Sequence, residues 1–299
     1  MTTVLVAGGT GMLGSRIAER LLDRDGVTVR LLLRDGWERD ADKRARIAPL
    51  VARGATVALG DVLRSDTLGA ATADVDVVVS ALQGRNDVIV EGQIALAEAA
   101  IRGGVRRFIP SDFAIDLFRA PSGAPQFEAR KQADAAIKAL DLEVLHILNG
   151  GFMDQMLNPA YPGMIDIEHG VVRHWGTGDE VFDLTTVADT AAFAARVATD
   201  DTAQPGVHAI SGARVSFNGI ARALEGVVGV TLRPLVLGDA AALRQAIAAK
   251  GGAWDAVMEW YALAMLTTPP LENPANDRYP DVRPVGLQEY LARAYAPRR

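Results

Sequence analysis

In the first half of the chain, short β-branched runs alternate with amphipathic stretches. Residues 4–7, 29–33, 56–59, 75–79, 107–109 and 144–148 predict six strands. Most of these runs are continuously apolar rather than alternating, the pattern of parallel strands buried on both faces. Between the first two, Leu13, Ile17 and Leu21 recur at i, i+4 and i+8, with Ala18 and Leu22 beside them. Val90, Ile94, Ala97 and Ile101 form a later stripe, with Asn86 or Asp87 as its expected cap and Gly103 as its stop. Six strands separated by crossovers predict a doubly wound α/β sheet.

Beyond residue 150 the pattern loosens. Proline and glycine punctuate 158–163, a hairpin-like stretch spans 165–175, and Gly176-Thr177-Gly178 follows. Helices are expected over 187–198, 217–228, 239–250 and 286–294, and 267–284 reads as an ordered loop. The expected organisation is one domain over 1–152, completed by about 181–212. A smaller lobe from 153–180 and 213–299 would close over the open end of the sheet.

Between the first strand and first helix lies Gly8-Gly9-Thr10-Gly11-Met12-Leu13-Gly14, a GxxGxxG pattern. Gly8 permits a tight turn, Gly11 lets a pyrophosphate approach the backbone, and Gly14 lets the helix pack closely. The helix N-terminus offers N–H groups and partial positive charge to phosphates. A glycine turn of any α/β protein shares the spacing. The strand before it and the helix after it make a dinucleotide loop the stronger reading, with Gly8, Thr10, Gly11, Met12 and Leu13 as contacts. The fold class is then α/β, a Rossmann-type doubly wound parallel sheet with a smaller C-terminal substrate lobe.

The second strand ends at Arg34. An arginine at this tip pairs with the 2′-phosphate of NADP, whereas a carboxylate accepts from the 2′-hydroxyl of NAD. Lys43, on the following helix, is placed to reach the same phosphate. Asp35 next to Arg34 leaves the NAD reading open, as does a solvated Arg34; NADP(H) is the favoured cofactor. Asp61 and Val62 end the third strand, where Asp61 can meet the adenine amino group. Ser80, Ala81, Leu82 and Gln83 end the fourth, beside the pyrophosphate and nicotinamide ribose. Carboxyl ends of strands are where open α/β sheets bind ligands.

Composition narrows the chemistry. The chain has 299 residues, a net charge of −6 and no cysteine. The acidic balance argues against a nucleic-acid or anionic-membrane partner. The lack of cysteine excludes disulfides, thiolate nucleophiles, iron–sulfur clusters and the usual structural zinc sites. The four histidines (146, 169, 174 and 208) offer no metal-ligand pair on one helical face, so no metal is expected. No apolar run reaches the ~18 residues of a spanning helix, and no secretory signal is evident, so a cytoplasmic protein is expected.

Gly8–Gly14, Arg34 with Lys43, Gly60-Asp61, Val79-Ser80-Ala81, VRRFIPSDF at 105–113, Asn149-Gly150-Gly151-Phe152, FDLTTVADT at 182–190 and residues 284–291 follow one another along the chain. In these segments the sequence resembles the atypical short-chain dehydrogenase/reductases of the NmrA-like and isoflavone reductase-like group. The resemblance implies NADPH binding, a small C-terminal substrate lobe and reduction of aromatic or quinone-like molecules. It equally covers members that bind the dinucleotide as redox-responsive regulators without turnover. Ser111 joins the expected cofactor contacts. Asn149, Gly150 and Phe152 are expected near the nicotinamide, with Phe152 as a wall or, equally, as a core residue beside a glycine turn.

The usual Tyr-x-x-x-Lys pair is absent, as the resemblance leads one to expect of a lysine-centred subgroup. That lysine belongs on the helix after Ser111-Asp112-Phe113. Two residues compete for its position. Arg130, Ala133, Ile137 and Leu140 share the face expected to pack on the sheet; Lys131, Asp134 and Lys138 share a polar face. Arg130 is therefore favoured at the lysine's position, and Lys131 reads as a solvated charge paired with Asp134 or Glu128. Arginine stays charged and is a poor proton donor, but it can anchor a substrate oxygen. Met153, Met156, Trp175 and the stretch 254–261 read as core or as pocket lining, His174 as structural rather than a proton donor, and Asp189 as the cap of a helix beginning near Thr190. The expected partner is a small-molecule substrate, with no direct nucleic-acid or membrane contact and a homodimer as the oligomer to test.

Overall fold

The computed structural model describes residues 1–160 and 163–295; the middle of the proline–glycine punctuation at 158–163 lies outside them. The first six strands are β1 (Thr2–Ala7), β2 (Val27–Leu33), β3 (Thr56–Leu59), β4 (Val77–Ser80), β5 (Arg107–Ile109) and β6 (Glu143–Leu148). Further along come β7 (Gly151–Phe152), β8 (Ile165–Asp166), β9 (Val171–His174), β10 (Phe182–Thr185), β11 (Gly206–Ala209), β12 (Ala213–Val215) and β13 (Arg233–Val236). The main sheet runs β11-β6-β5-β4-β1-β2-β3. Its pairs from β3 through β6 are parallel. The seventh strand, β11, was not expected from the pattern, because Gly206–Ala209 is half exposed and has no continuous apolar run.

Continuous burial explains the central strands. Val4, Leu5, Val6 and Ala7 are fully buried, as are Val77, Val78 and Val79. Fully burying one such larger side chain contributes about 1.5–3 kcal/mol. The edge strand β3 is mostly exposed.

Helix α1 (Met12–Leu22) buries Ile17, Ala18 and Leu21 of the expected stripe and Gly14 beside them, while Leu13 and Leu22 are half-buried. Then follow α2 (Ala41–Ala52), the single turn α3 (Gly69–Thr72) and α4 (Gln93–Arg102). A π-helical turn, Asp87–Gly92, leads into α4, so Asn86 and Asp87 do not cap it; Asn86 already has helical backbone. The wide turn also shifts the phase of the apolar stripe. Ile89, Val90, Gln93, Leu96, Ala97 and Ala100 are buried, whereas Ile94 and Ile101 are only half-buried. The expected stop at Gly103 holds: α4 ends at Arg102 with Gly103 as its cap.

The remaining helices are α5 (Pro125–Ile137), the single turn α6 (Met153–Met156), α7 (Val187–Thr199), α8 (Phe217–Val228), α9 (Ala240–Ala248), α10 (Val257–Thr267) and α11 (Leu287–Ala294). Of these, α10 is not among the expected helices; only its first five residues fall in the stretch 254–261 read as core or pocket lining. Asp189 is not the cap of α7. Thr186 precedes the helix, its hydroxyl accepting from Asp189 N–H at 3.0 Å and donating to Asp189 Oδ2 at 2.6 Å, while Asp189 sits in the first turn.

The chain divides into two compact units. One comprises Met1–Phe113, Glu128–Ile147 and Thr190–His208; the other comprises Ala114–Phe127, Leu148–Asp189 and Ala209–Arg299. The units depart from the expected boundaries chiefly in assigning Ala114–Phe127 to the second. In the first, Leu5, Leu96, Phe108, Ala133 and Ile137 are central to one core. Arg107 is almost fully buried there. Its guanidinium donates to the carbonyls of Val197, Ala198, Asp200 and Ala203 and pairs with Glu143 at 2.9 Å. Those carbonyls gather at and beyond the end of α7, where a helix leaves backbone acceptors without intrahelical partners. Among its described residues, the second unit packs one cluster around Phe182, Leu184 and Leu224 and another around Leu117, Phe127 and Leu271.

Candidate active site

The sheet order places β1 between β2 and β4, the point where strand order reverses and open α/β sheets bind ligands. The glycine-rich turn sits there. Gly8 has φ of +83°, and a Cβ on it would lie 2.3 Å from the Ala81 carbonyl oxygen; one on Gly14 would lie 2.3 Å from the Gly8 carbonyl oxygen. The turn is thus pressed against the end of β4 on one side and the first turn of α1 on the other. Gly11 donates to the Gly8 carbonyl at 2.9 Å and precedes α1 without a side-chain cap. An anion at this end can be met by main-chain N–H groups. Thr10 and Leu13 are half-buried and Met12 is exposed on the same turn.

Arg34 is exposed immediately after β2. Lys43 lies in the first turn of α2, where Asp40 caps the helix and its carboxylate pairs with Lys43 Nζ at 3.0 Å. The Lys43 backbone N–H holds the Asp40 carboxyl below its usual value, with the Lys43 ammonium adding to the effect. Arg46, one turn further, donates to the Thr10 carbonyl at 2.8 Å. Sequence reasoning missed Arg46. Its spacing of three from Lys43 is the signal that places both on one face of α2.

Asp61 turns its Oδ1 back to the Leu63 N–H at 3.0 Å, and Val62 is buried. At the end of β4, Ser80 has no exposed surface and donates to Gln93 Oε1 at 2.7 Å. Ser111 N–H donates to the same oxygen at 2.9 Å, and Ser111 Oγ donates to the Leu82 carbonyl at 2.7 Å. The hydroxyls of Ser80 and Ser111 therefore brace the loops after β4 and β5. Gln93 ties them together, a residue hidden in the sequence as one polar position in an apolar stripe. Ala81 and Leu82 are half-buried and Gln83 exposed, leaving them on the accessible rim of this loop.

Helix α5 carries both candidate catalytic residues. Arg130 is half-buried and its Nε donates to the Ser111 carbonyl at 2.8 Å. Lys131 pairs with Glu128 at 3.3 Å. Arg130 is thus the one tied to the loop that follows β5. The polar face assigned to Lys131, Asp134 and Lys138 is not solvated throughout. Asp134 is buried, and with it are Asp112 from the loop after β5 and His146 from β6. His146 Nδ1 lies 2.7 Å from Asp112 Oδ2 and 3.9 Å from Asp134 Oδ2. Burial, followed by the negative charge of Asp112, pushes the Asp134 carboxyl well above the carboxylate range; Arg130 opposes the rise. Three separate segments build this cluster, so no local spacing announces it.

In the second unit, Asn149 is fully buried; its carbonyl accepts from Thr185 Oγ1 at 2.7 Å and its Nδ2 donates to the Gly150 carbonyl. Gly150 has φ of +71°, and a Cβ there would lie 2.1 Å from the Asp183 carbonyl oxygen. The close approach permitted by this glycine is made to the protein's own β10. Phe152, half-buried, pairs with Thr185 in parallel register. Met153 is fully buried core, and Met156 packs against the same cluster. Trp260 and Tyr261 pack against the Phe127 core, Tyr261 edge-on to Phe127 with centroids 5.5 Å apart. Trp175 flanks Gly238. His174 is buried and stacked on Phe217 at 5.6 Å, a structural setting.

Comparison with known proteins bears on the family and the fold. Pinoresinol reductase 2 of Arabidopsis thaliana is 32% identical over 161 residues, a match spanning half the length of each chain. Eugenol synthase 1 of Petunia hybrida is 24% identical over an alignment covering 97% of each. The solved structure of AtPrR2 with NADP+ and (+)pinoresinol has a TM-score of 0.82, 25% identity and 98% coverage of both chains. The model of the NmrA-like family matches residues 1–269, and the chain belongs to that family.

Proposed function

We propose that this protein is an NADPH-dependent reductase acting on a small, aromatic or conjugated carbonyl or quinone substrate. The observation that carries the reading is the glycine turn at the strand-order reversal, with the N-terminus of α1 open to phosphate and Arg34 exposed at the tip of β2. Relatives named as reductases, and a solved relative holding NADP+, support it.

Bound NADPH supplies the hydride. The chain's own residues do the rest. Main-chain N–H groups of the turn and of α1 hold the pyrophosphate, while Arg34 and Lys43 select the 2′-phosphate. In this reading Lys43 exchanges Asp40 for the phosphate, and Arg46 fixes the Thr10 carbonyl against α2. Arg130 offers a permanent positive charge for a substrate oxygen as negative charge develops on it.

A reductase consumes NADPH with a panel of quinones, enones and aromatic aldehydes. A second reading, a dinucleotide-binding regulator without turnover, is favoured by arginine rather than lysine at position 130. No turnover across the panel, with binding that separates NADP+ from NADPH, selects that second reading.

A further inference from the structure

Hydride transfer to a carbonyl also requires a proton, and Arg130 is a poor source because its guanidinium stays charged. One helical turn along α5 stands Asp134, with Asp112 and His146 beside it. Asp112 has no exposed surface and Asp134 only 6%. Asp112 Oδ1 and both Asp134 carboxyl oxygens are sealed from solvent with no hydrogen bond among the described residues. Two buried carboxylates in this setting cannot both ionise at modest cost. A proton between them removes one charge and gives an oxygen on each a partner. His146, whose side chain is 15% exposed, already contacts Asp112 at 2.7 Å.

The same three groups have the composition of a metal site, but their spacing favours protons. Two atoms bound tetrahedrally to one zinc ion at about 2.0–2.1 Å stand roughly 3.3 Å apart. The 2.7 Å between His146 Nδ1 and Asp112 Oδ2 is shorter than that and is a hydrogen-bond length. The charge of Arg130, felt at Asp134, further opposes a cation.

We infer that Asp134, Asp112 and His146 form a buried proton relay that supplies the reduction, the carboxyl pair storing one proton and His146 exchanging it with solvent. The inference rests on the reductase reading. As the substrate carbonyl carbon accepts hydride from NADPH, its C=O π bond breaks and its oxygen takes a proton from a water molecule beside it; the stored proton neutralises the hydroxide left behind, giving alcohol, NADP+ and an ionised carboxyl pair. Water then reloads the pair through His146. Among the described residues, the ionisable groups beside Asp134 are Asp112 from the loop after β5, His146 from β6 and Arg130 from its own helix; Lys131 is engaged by Glu128. Asp112, Asp134 and His146 act here as proton-holding groups behind Arg130 and not as substrate contacts.

The test pairs infrared spectroscopy of the full chain with the pH profile of NADPH oxidation, for the wild type and Asp134→Asn. Asparagine keeps the shape of aspartate but has no proton to give. The wild type should show a protonated-carboxyl band at neutral pH that Asp134→Asn lacks. The variant should lose about 10²-fold or more in kcat, the scale of general acid catalysis. It should also lose the alkaline limb of the profile while binding NADPH unchanged. Absence of the band in the wild type overturns the inference, as does a variant that keeps both kcat and the limb. Stoichiometric zinc uptake that Asp134→Asn abolishes also overturns it, making the trio a metal site. No turnover by the wild type overturns the reductase reading and the relay together, whereas turnover with an unaltered limb in the variant overturns the relay alone.

Discussion

The glycine turn after β1 and the polar cluster around α5 both belong to the first unit, yet they are built by opposite means. The turn is one stretch of chain whose conformation is fixed by backbone contact: Gly8 against Ala81, and Gly14 against Gly8. The cluster takes one residue each from a loop, a helix and a strand, and is fixed by burial and charge. The turn tolerates almost no added atom. The cluster is instead sensitive to a change of charge, because burial and the neighbouring carboxylate set the state of Asp134. A turn that binds by its main chain can be read from spacing; a cluster that works through desolvation exists only once the sheet has formed.

The sharpest way to break this contrast is Gly8→Ala. A methyl group 2.3 Å from a carbonyl oxygen, on a residue at φ +83°, should cost about 3 kcal/mol or more, from overpacking together with left-handed strain. Denaturant unfolding checks it, and an unchanged midpoint would mean that the turn is not held as described. Arg34→Ala comes next, acting on binding alone. Loss of a charge-assisted contact to the 2′-phosphate should weaken NADPH by about 10- to 100-fold and leave NADH nearly unaffected. Equal losses for the two cofactors in fluorescence titrations would defeat the assignment of Arg34.

Asp134→Asn probes the cluster through stability. The folded-state pKa of Asp134 is raised, so the stability this group contributes is fully present below the ordinary carboxyl value. It is lost as pH rises through the raised value. The wild type should therefore lose stability across that window, while the asparagine variant loses less. Near the alkaline end the variant should be the more stable by about 1–3 kcal/mol, the scale of a buried polar group without a partner. Parallel pH curves for the two proteins would show that Asp134 does not carry a raised pKa. The smallest effect is expected from Lys43→Ala. Its exposed pair with Asp40 is screened by solvent and adds little to stability, so thermal unfolding should barely move.

Much of the fold was legible because buried parallel strands leave continuous apolar runs, as at Val77–Ser80, and because α1 keeps its period. Strand β11 was not, since its residues are half exposed and gain their place from β6. The cap of α7 was misread by three residues, because Thr186 and Asp189 exchange hydrogen bonds and either alone resembles a cap. Of the candidate site residues, Gly8, Arg34 and Arg130 stand out in the sequence through position. Gln93 and Arg46 do not, since each works through a contact made across a crossover. The burial of Asp134 is not legible, because helical spacing puts it on a polar face but does not show whether another segment covers that face. Gly150 was legible as a close approach, although the approaching group is the Asp183 backbone.

NADPH-dependent reduction is read out by NADPH oxidation against a panel of quinones, enones and aromatic aldehydes, with binding of all four nicotinamide forms followed by fluorescence. Turnover with at least one acceptor, together with tighter binding of NADPH than of NADH that disappears in Arg34→Ala, is the predicted result. Binding without turnover on any acceptor, or equal affinity for the phosphorylated and unphosphorylated cofactors, would contradict it.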